Sequence, residues 1–385
     1  MIARQQIAFV SNMHGSPWGG SEELWAQAAS HLARDGLSVL ASVQGWSVPH
    51  PRLAQLAADG VDVKMRRAKY PLWWRAWKKV SGRKKAPIEI EVSEFLSNNS
   101  PALVVFSDAA STPPIDMLQD CVARRRPFAT ISQANSEYFW PEDNSATQYR
   151  MLMPAARRCY FVSRANLRLF ENQIGCDLPN AEIVCNPFNV DIDNVLPWPQ
   201  LGKDDRLDLA CVARLHPPSK GQDILLEALC DPVWMQRNWR LNLFGEGAMR
   251  GTIEQMVRRL GLGDRVKIVG FMSPVEKIWA DNHVLVMPSR YEGLPLALVE
   301  AMLCGRPAVA TDVAGHSEVL QDGVTGFLAD APTPRSMNKA LERLWSRRAD
   351  LESMGKAAAA SIRRHVPADP GRAFAEKIKA LLAAA

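Results

Sequence analysis

Two glutamates, Glu292 and Glu300, stand eight positions apart in the run SRYEGLPLALVEAMLCGRPAVATDVAG, residues 289–315. The pattern predicts a strand ending at Ser289, a turn holding Gly293 and Pro295, and a helix from about Leu296 to Cys304. The first N–H groups of such a helix, with the positive end of its dipole, make an anion site. Eight residues of continuous helix span roughly 12 Å, and less where the chain turns. That span suits one carboxylate on a sugar and the other on a ribose, with a diphosphate between them over the helix start. The bland reading is a capped, buried helix with two surface glutamates, and the surrounding string argues against it.

Carboxylates so placed need a sheet to carry them. Short apolar runs alternate with helical patterns along the whole chain. In the first half they are 7–12, 37–43, 61–65, 102–108, 128–133, 159–163 and 182–185; in the second, 207–215, 241–247, 266–271, 283–289, 307–313 and 326–330. Several are almost continuously hydrophobic, as expected of parallel strands covered on both faces. Between them lie helical stretches such as 21–36, with Leu24, Ala28 and Leu32 at helical spacing. Strand–helix alternation of this kind predicts an α/β protein with parallel sheets. The stretch VLPWPQLGKDDRLD (195–208) reads as a linker. It divides the chain into a first Rossmann-like domain over 1–195 and a second over 206–366, facing a cleft. A final helix over 367–385 follows Pro367 and Pro370.

Bulk properties fit that division. A chain of 385 residues exceeds one core, and 47% apolar with 23% charged residues is ordinary for folded domains. The seven cysteines are scattered with no C-x-x-C pair, which points away from disulfides and structural zinc and towards a reducing compartment. No run approaches the roughly twenty apolar residues of a membrane span, and the N-terminal MIARQQIAFVSN lacks a signal-peptide core.

The string 289–315 resembles the donor-site motif of family 4 glycosyltransferases, in which a Glu, seven residues and a second Glu precede a small-residue strand and a Gly. The resemblance continues in ACVARLHPPSKGQDILLEAL (210–229), in LNLFGEG (241–247) and VKIVGF (266–271), and in PWGGSEELWAQAASHLARDG (17–36). FVSRANLRLF (161–170) and VCNPFNVD (184–191) are similar to the segment that leads to the domain crossover. The resemblance is strongest over 208–330. It implies a GT-B fold, with the C-terminal helix crossing back to the first domain. It also implies a retaining transfer from a nucleotide diphosphate sugar, without a cofactor or a metal.

Carried over residue by residue, the resemblance makes Arg214 and Lys220 cations for the diphosphate and for the charge of the leaving nucleotide. Glu300 would accept hydrogen bonds from the two ribose hydroxyls. Glu292 would orient the sugar together with the backbone amides of Gly293, Leu294, Pro295 and Leu296, as far as each has one. Gly19 and Gly20 would let backbone approach the donor, and the loop around Phe271 would meet the base. Departing phosphate would help deprotonate the acceptor, so Glu292 and Glu300 are not read as a glycosidase pair. Two positions depart from the family pattern. Ser132 or Gln133 stands where many members have a His, and Asn186–Pro187 replaces an Asn–Gly. His14, beside the glycine loop, is a further candidate sugar contact.

A second signal is KMRRAKYPLWWRAWKKVSGRKK (64–85), with ten Lys or Arg, three Trp and no acidic residue. Arg66, Arg67, Lys69, Trp73, Trp74, Arg75, Trp77, Lys78 and Lys79 compose a patch suited to an anionic membrane surface. With it comes the expectation of a cytoplasmic protein held peripherally at the inner membrane face. There it would work on a glycan or lipid-linked acceptor in polysaccharide, lipopolysaccharide or glycolipid assembly. Nucleic acid is not expected. The stretch Gly245–Arg250 lacks the third glycine of a dinucleotide fingerprint. Asp191 and Asp193 resemble a metal-diphosphate pair, but they fall in the crossover. The alternatives are a nucleotide-sugar epimerase, or a non-enzymatic membrane- or nucleic-acid-binding protein using 64–85.

Overall fold

The apolar runs are buried on both faces and lie side by side. Residues Ile7–Val10 and Leu103–Phe106 are essentially inaccessible, and their strands pair in parallel. The structure, a computed structural model, describes residues 5–13, 17–67, 87–109, 113–200 and 205–383. Each of the thirteen runs named above overlaps a strand.

The first seven strands are β1 (Gln6–Ser11), β2 (Ser38–Gln44), β3 (Asp62–Arg66), β4 (Leu103–Asp108), β5 (Phe128–Ser132), β6 (Arg158–Phe161) and β7 (Ala181–Ile183). They form one sheet in the order β3-β2-β1-β4-β5-β6-β7. The other six are β8 (Leu207–Val212), β9 (Trp239–Phe244), β10 (Val266–Gly270), β11 (Val284–Met287), β12 (Ala308–Thr311) and β13 (Gly326–Ala329). Their order is β10-β9-β8-β11-β12-β13. All pairings between named strands are parallel. In each sheet the order reverses once, between β1 and β4 and between β8 and β11. Open parallel sheets take ligands outside the carboxyl ends of the strands at such a reversal.

The chain falls into two compact units, one made of Met1–Pro187 with Asp369–Ala385, the other of Phe188–Ala368. The last helix, Pro370–Ala383, thus returns to the first sheet's unit. It lies along the helix Gly20–Arg34 and buries Phe374, Ile378 and Leu382. The Phe374 ring meets Tyr160 edge-on at 5.0 Å, and Arg372 pairs with Asp35 at 2.5 Å. Gly371 permits the approach, since a Cβ there would stand 2.6 Å from the Gln27 Cβ.

In the second unit the helices Leu296–Leu303 and Leu351–His365 approach just as closely. A Cβ on Gly355 would meet the Gly305 carbonyl oxygen at 2.1 Å. Arg306 is 1% exposed and donates to the carbonyls of Trp279, Asn282, Cys304 and Pro197, fixing the entry segment of this unit. Among the described residues no helix is long and apolar enough to cross a membrane. Nor do three His, Cys, Asp or Glu side chains gather there as a metal cluster would require.

Candidate active site

The carboxyl ends of β8 and β11 bring the predicted residues of the second half together. After β8 the chain runs through Arg214 into a short helical turn, Pro217–Lys220, which Gly221 closes in the left-handed region at φ +65°. Gly221 sits under the other loop, where a Cβ would lie 1.9 Å from the Pro288 carbonyl oxygen. Arg290, beyond β11, clamps the two loops from outside. Its backbone N–H donates to Ser219 O at 2.8 Å, and its guanidinium makes a two-pronged pair with Asp223 at 2.8 and 2.7 Å. The loop after β9 packs on the Arg214 loop through two glycines. A Cβ on Gly245 would be 2.2 Å from Ala213 O, and one on Gly247 2.3 Å from Leu215 O. Close backbone packing accounts for the glycines that faintly resembled a dinucleotide fingerprint.

Inside this clamp Lys220 Nζ contacts Glu292 Oε1 at 2.6 Å, and Ser289 Oγ donates to the same oxygen at 2.8 Å. Burial by itself would raise the Glu292 carboxyl. The Lys220 ammonium and the hydrogen bonds from Lys220 and Ser289 outweigh it and hold the group below its usual value. Glu292 is therefore an ionised carboxylate in a buried site. Behind it, Thr311 Oγ1 donates to Ser289 O at 2.6 Å, and His316 Nδ1 lies 2.6 Å from Thr311 O. A carbonyl only accepts, so Nδ1 carries the proton and Nε2 is the lone-pair nitrogen. Burial lowers the His316 pKa and keeps the ring neutral.

Glu300 faces inward on the helix Leu296–Leu303 and is 4% exposed. Its Oε1 accepts both the backbone N–H of Asn189, at 2.9 Å, and the Asn189 side-chain Nδ2, at 3.0 Å. Burial pushes its carboxyl up to about 7, against those hydrogen bonds. The first intrahelical bonds run from Leu298 and Val299 to Pro295 O, and the N–H groups of Leu296 and Ala297 come before them, where a helix start has no intrahelical acceptor. Gly293, Leu294 and Pro295 are buried, and Gly293 O accepts from Gly315 N at 3.1 Å. Arg214 is exposed, with no ion pair among the described residues. Phe271, at the end of β10, is 76% exposed, and its N–H is held by Glu246 at 3.3 Å.

In the first unit the ends of β1 and β4 carry buried polar groups that sequence reasoning passed over. Asn12 Nδ2 donates to Asp108 Oδ1 at 2.8 Å, and Ser11 Oγ to Glu22 Oε2 at 2.6 Å. Burial pushes both carboxyls up to about 7. Gln133 N–H donates to Asp108 O, and Gln133 Oε1 accepts from Asn186 Nδ2 at 2.7 Å. Gln133, at the first position that departs from the family pattern, is thus the partner of Asn186, the residue just before the departing Pro187. Ser132 ends β5 and is buried. Gly19 caps the helix Gly20–Arg34 in extended backbone, and a Cβ there would meet only the flexible end of Met13.

The basic patch needs one correction. Arg66 is 6% exposed and turns its guanidinium under the strand ends, donating to Ser42 O at 2.7 Å and Ser11 O at 2.5 Å. It braces β1, β2 and β3 and is no surface cation. Arg67 is exposed and pairs with Glu91 at 3.4 Å. Lys69, Trp73, Trp74, Arg75, Trp77, Lys78, Lys79 and His14 lie outside the described residues.

Comparison with known proteins adds the following. Residues 206–347 match the family described as "Glycosyl transferases group 1". The alpha-D-kanosaminyltransferase of Streptomyces kanamyceticus is 34% identical over 145 residues, 37% of either chain. A GDP-mannose-dependent phosphatidylinositol monomannoside mannosyltransferase of Mycolicibacterium smegmatis is 32% identical over 188 residues, 44% of this chain and 48% of its own. The chain therefore matches less than half the length of these curated relatives. HepE of Anabaena, solved with UDP, superimposes with a TM-score of 0.74 at 20% identity, over 97% of this chain and all of that one. Sucrose-phosphate synthase of Thermosynechococcus elongatus gives 0.74 at 18% identity over 99% of this chain and 100% of that one. With its two parallel-sheet units, the chain has the GT-B fold.

Two predictions follow from the charges. Lys220→Ala strands the buried Glu292 carboxylate and should destabilise the second unit by about 3–5 kcal/mol in urea unfolding at neutral pH. Glu292 has a depressed pKa, so its contribution is present above about 4.5 and lost as pH falls through the folded value. Adding Glu292→Gln should therefore restore most of the stability, and an equally unstable double variant would refute the pairing.

Asp108 behaves oppositely. Its raised pKa makes the folded state bind the proton more tightly, so folding is penalised as pH rises from about 4 through 7. The stability of Asp108→Asn relative to the unchanged protein should grow by about 2–3 kcal/mol between pH 5 and pH 8. A pH-independent difference would show that Asp108 is not held neutral.

Proposed function

We propose that the protein is a retaining, metal-independent glycosyltransferase that uses a nucleotide diphosphate sugar. The observation that carries this reading is the clamp at the ends of β8 and β11. It joins Lys220 to Glu292 and ties the loop that follows Arg214 to the loop before the helix that carries Glu300. The family match over 206–347 and the sugar-transferring relatives support it. HepE, which was solved with UDP and with UDP-glucose, supports a uridine nucleotide as the first donor to try.

In this reading the nucleoside sits by Glu300, and the diphosphate meets the Arg214 guanidinium and the free N–H groups before Leu298. The bond from the anomeric carbon to the β-phosphate oxygen breaks, and an acceptor hydroxyl oxygen takes its place on the same face. The hydroxyl proton passes to the departing phosphate. Arg214 and the helix start supply fixed positive charge where the anion develops. Glu292, ionised and aimed by Lys220 and Ser289, accepts from sugar hydroxyls.

Thermal shift against UDP, GDP, ADP, CMP and their sugar conjugates tests the reading. One nucleoside diphosphate at 100–1,000 times its dissociation constant should add about 3–4 kcal/mol of stability. The gain should vanish in Arg214→Ala and Glu300→Ala. A product of inverted anomeric configuration, or a turnover abolished by EDTA, would overturn the finer part. No shift with any nucleotide would overturn the reading as a whole.

The acceptor belongs to the same proposal: a glycan or a lipid-linked saccharide, met at a membrane surface by the basic and aromatic stretch 64–85. Vesicles with about a third anionic lipid should sediment the protein at low salt and release it as salt rises. A protein left in the supernatant at low salt would remove the membrane from the reading.

A further inference from the structure

The carboxylate of Glu300 is not a two-oxygen acceptor. One residue, Asn189, delivers two N–H donors to Oε1, from its backbone and from its side chain, at 2.9 and 3.0 Å. A carboxylate oxygen offers two lone pairs, so Oε1 is filled. No hydrogen bond reaches Oε2 among the described residues, so that oxygen keeps its lone pairs for a ligand.

Asn189 comes from the segment that enters the second unit, 111 positions from Glu300 in sequence. Its backbone donor is insensitive to the side chain, whereas Nδ2 exists only because the residue is Asn. We propose that Asn189 is a positioning residue for nucleotide recognition, holding Glu300 in one rotamer so that Oε2 alone takes the ribose hydroxyls. The inference rests on the donor-site reading above.

The electrostatics agree with the geometry. Both Asn189 donors favour the ionised carboxylate, while burial and the like charge of Glu276 oppose it. The elements packed on this helix bring no rescuing cation. Strand β11 contributes Val284–Met287, β12 contributes Ala308–Thr311, and Arg363 of the helix Leu351–His365 is committed to the carbonyls of Ile192 and Leu303. Cys304, at the helix end, is itself pushed up to about 12 by burial and stays neutral. Asn189 is therefore what favours the ionised form of Glu300 against its burial and what aims the group.

The test is UDP affinity by calorimetry across pH 6 to 9, on the full chain, for the unchanged protein and for Asn189→Ala, Asn189→Ser and Glu300→Gln. Losing the Nδ2 donor should move the midpoint of the affinity–pH curve up by about one unit. Binding should then weaken about tenfold near pH 6.5 and recover towards pH 9. Asn189→Ser, which restores a hydroxyl donor, should return part of the shift. Equal weakening at every pH, or an unmoved midpoint in both Asn189 variants, would overturn the proposal. Failure of the donor-site reading looks different, because Glu300→Gln would then bind UDP as tightly as the unchanged protein at every pH.

Discussion

A carboxylate removed from water needs a cation beside it, and in the second unit this requirement ties two loops into one object. Glu292 is 7% exposed and ionised, with Lys220 at 2.6 Å. The two residues lie 72 positions apart and hang from different strands, so the contact exists only if both loops are held in register. Gly221 lets the Lys220 loop pass beneath Pro288 O, and Arg290 grips Ser219 O and Asp223 from the other side. A loop pair free to separate would expose the carboxylate to water and lose the reason for the pairing. The breaking of a buried pair is far more costly than the modest net gain of making one. The ion pair thus acts as a specification of loop position more than as a source of stability.

This arrangement changes what each cation has left for a ligand. Lys220 donates to Glu292, whereas Arg214 is exposed with no ion pair among the described residues. An arriving diphosphate would meet Arg214 and the helix start first, and Lys220 only as its bond to Glu292 is shared. The first unit follows the opposite electrostatic rule. Among the described residues no lysine pairs with Glu22 or Asp108, and burial pushes both carboxyls up to about 7. Arg66, whose charge opposes the rise at Glu22, donates to backbone oxygens of Ser11 and Ser42. One sheet therefore holds an ion-paired carboxylate at its reversal and the other two hydrogen-bonded carboxyls of raised pKa, although both reverse strand order at the corresponding place.

Much of this was readable because it is local. Apolar runs located every strand among the described residues, since a strand covered on both faces leaves little choice of residue. The string around Glu292 and Glu300 located the helix start, because Gly293, Pro295 and the following apolar helix are neighbours in sequence. What escaped is what the fold brings together over distance. Arg66 sat in a basic stretch and read as surface, but strand pairing put it under the ends of β1 and β2. Gln133 and the pair Asn186–Pro187 read as two separate departures, yet Gln133 is hydrogen-bonded to Asn186 across 53 positions. Arg306, Asn189 and the Arg290–Asp223 pair gave no signal, because a lone Arg or Asn between apolar segments is ordinarily solvated. The glycines 245 and 247 did give a signal, but of backbone contact with Ala213 and Leu215.

A chain of hydrogen bonds continues from the ion pair to the third strand of the crevice. It runs from Lys220 to Glu292, from Ser289 to Glu292, from Thr311 to Ser289 O, and from His316 Nδ1 to Thr311 O. Its far end bears on the near end through charge. A protonated His316 would offer Glu292 a second cation and weaken the claim of Lys220 on it. Complete burial disfavours that protonation, and the carbonyl partner needs only the single proton that a neutral ring already carries on Nδ1. A neutral His316 can therefore orient Thr311 and, through it, the Ser289 backbone without competing for the carboxylate. The ends of β8, β11 and β12 are held together by one strong charge pair and a series of neutral bonds, an order that leaves Glu292 ionised and directed by Lys220.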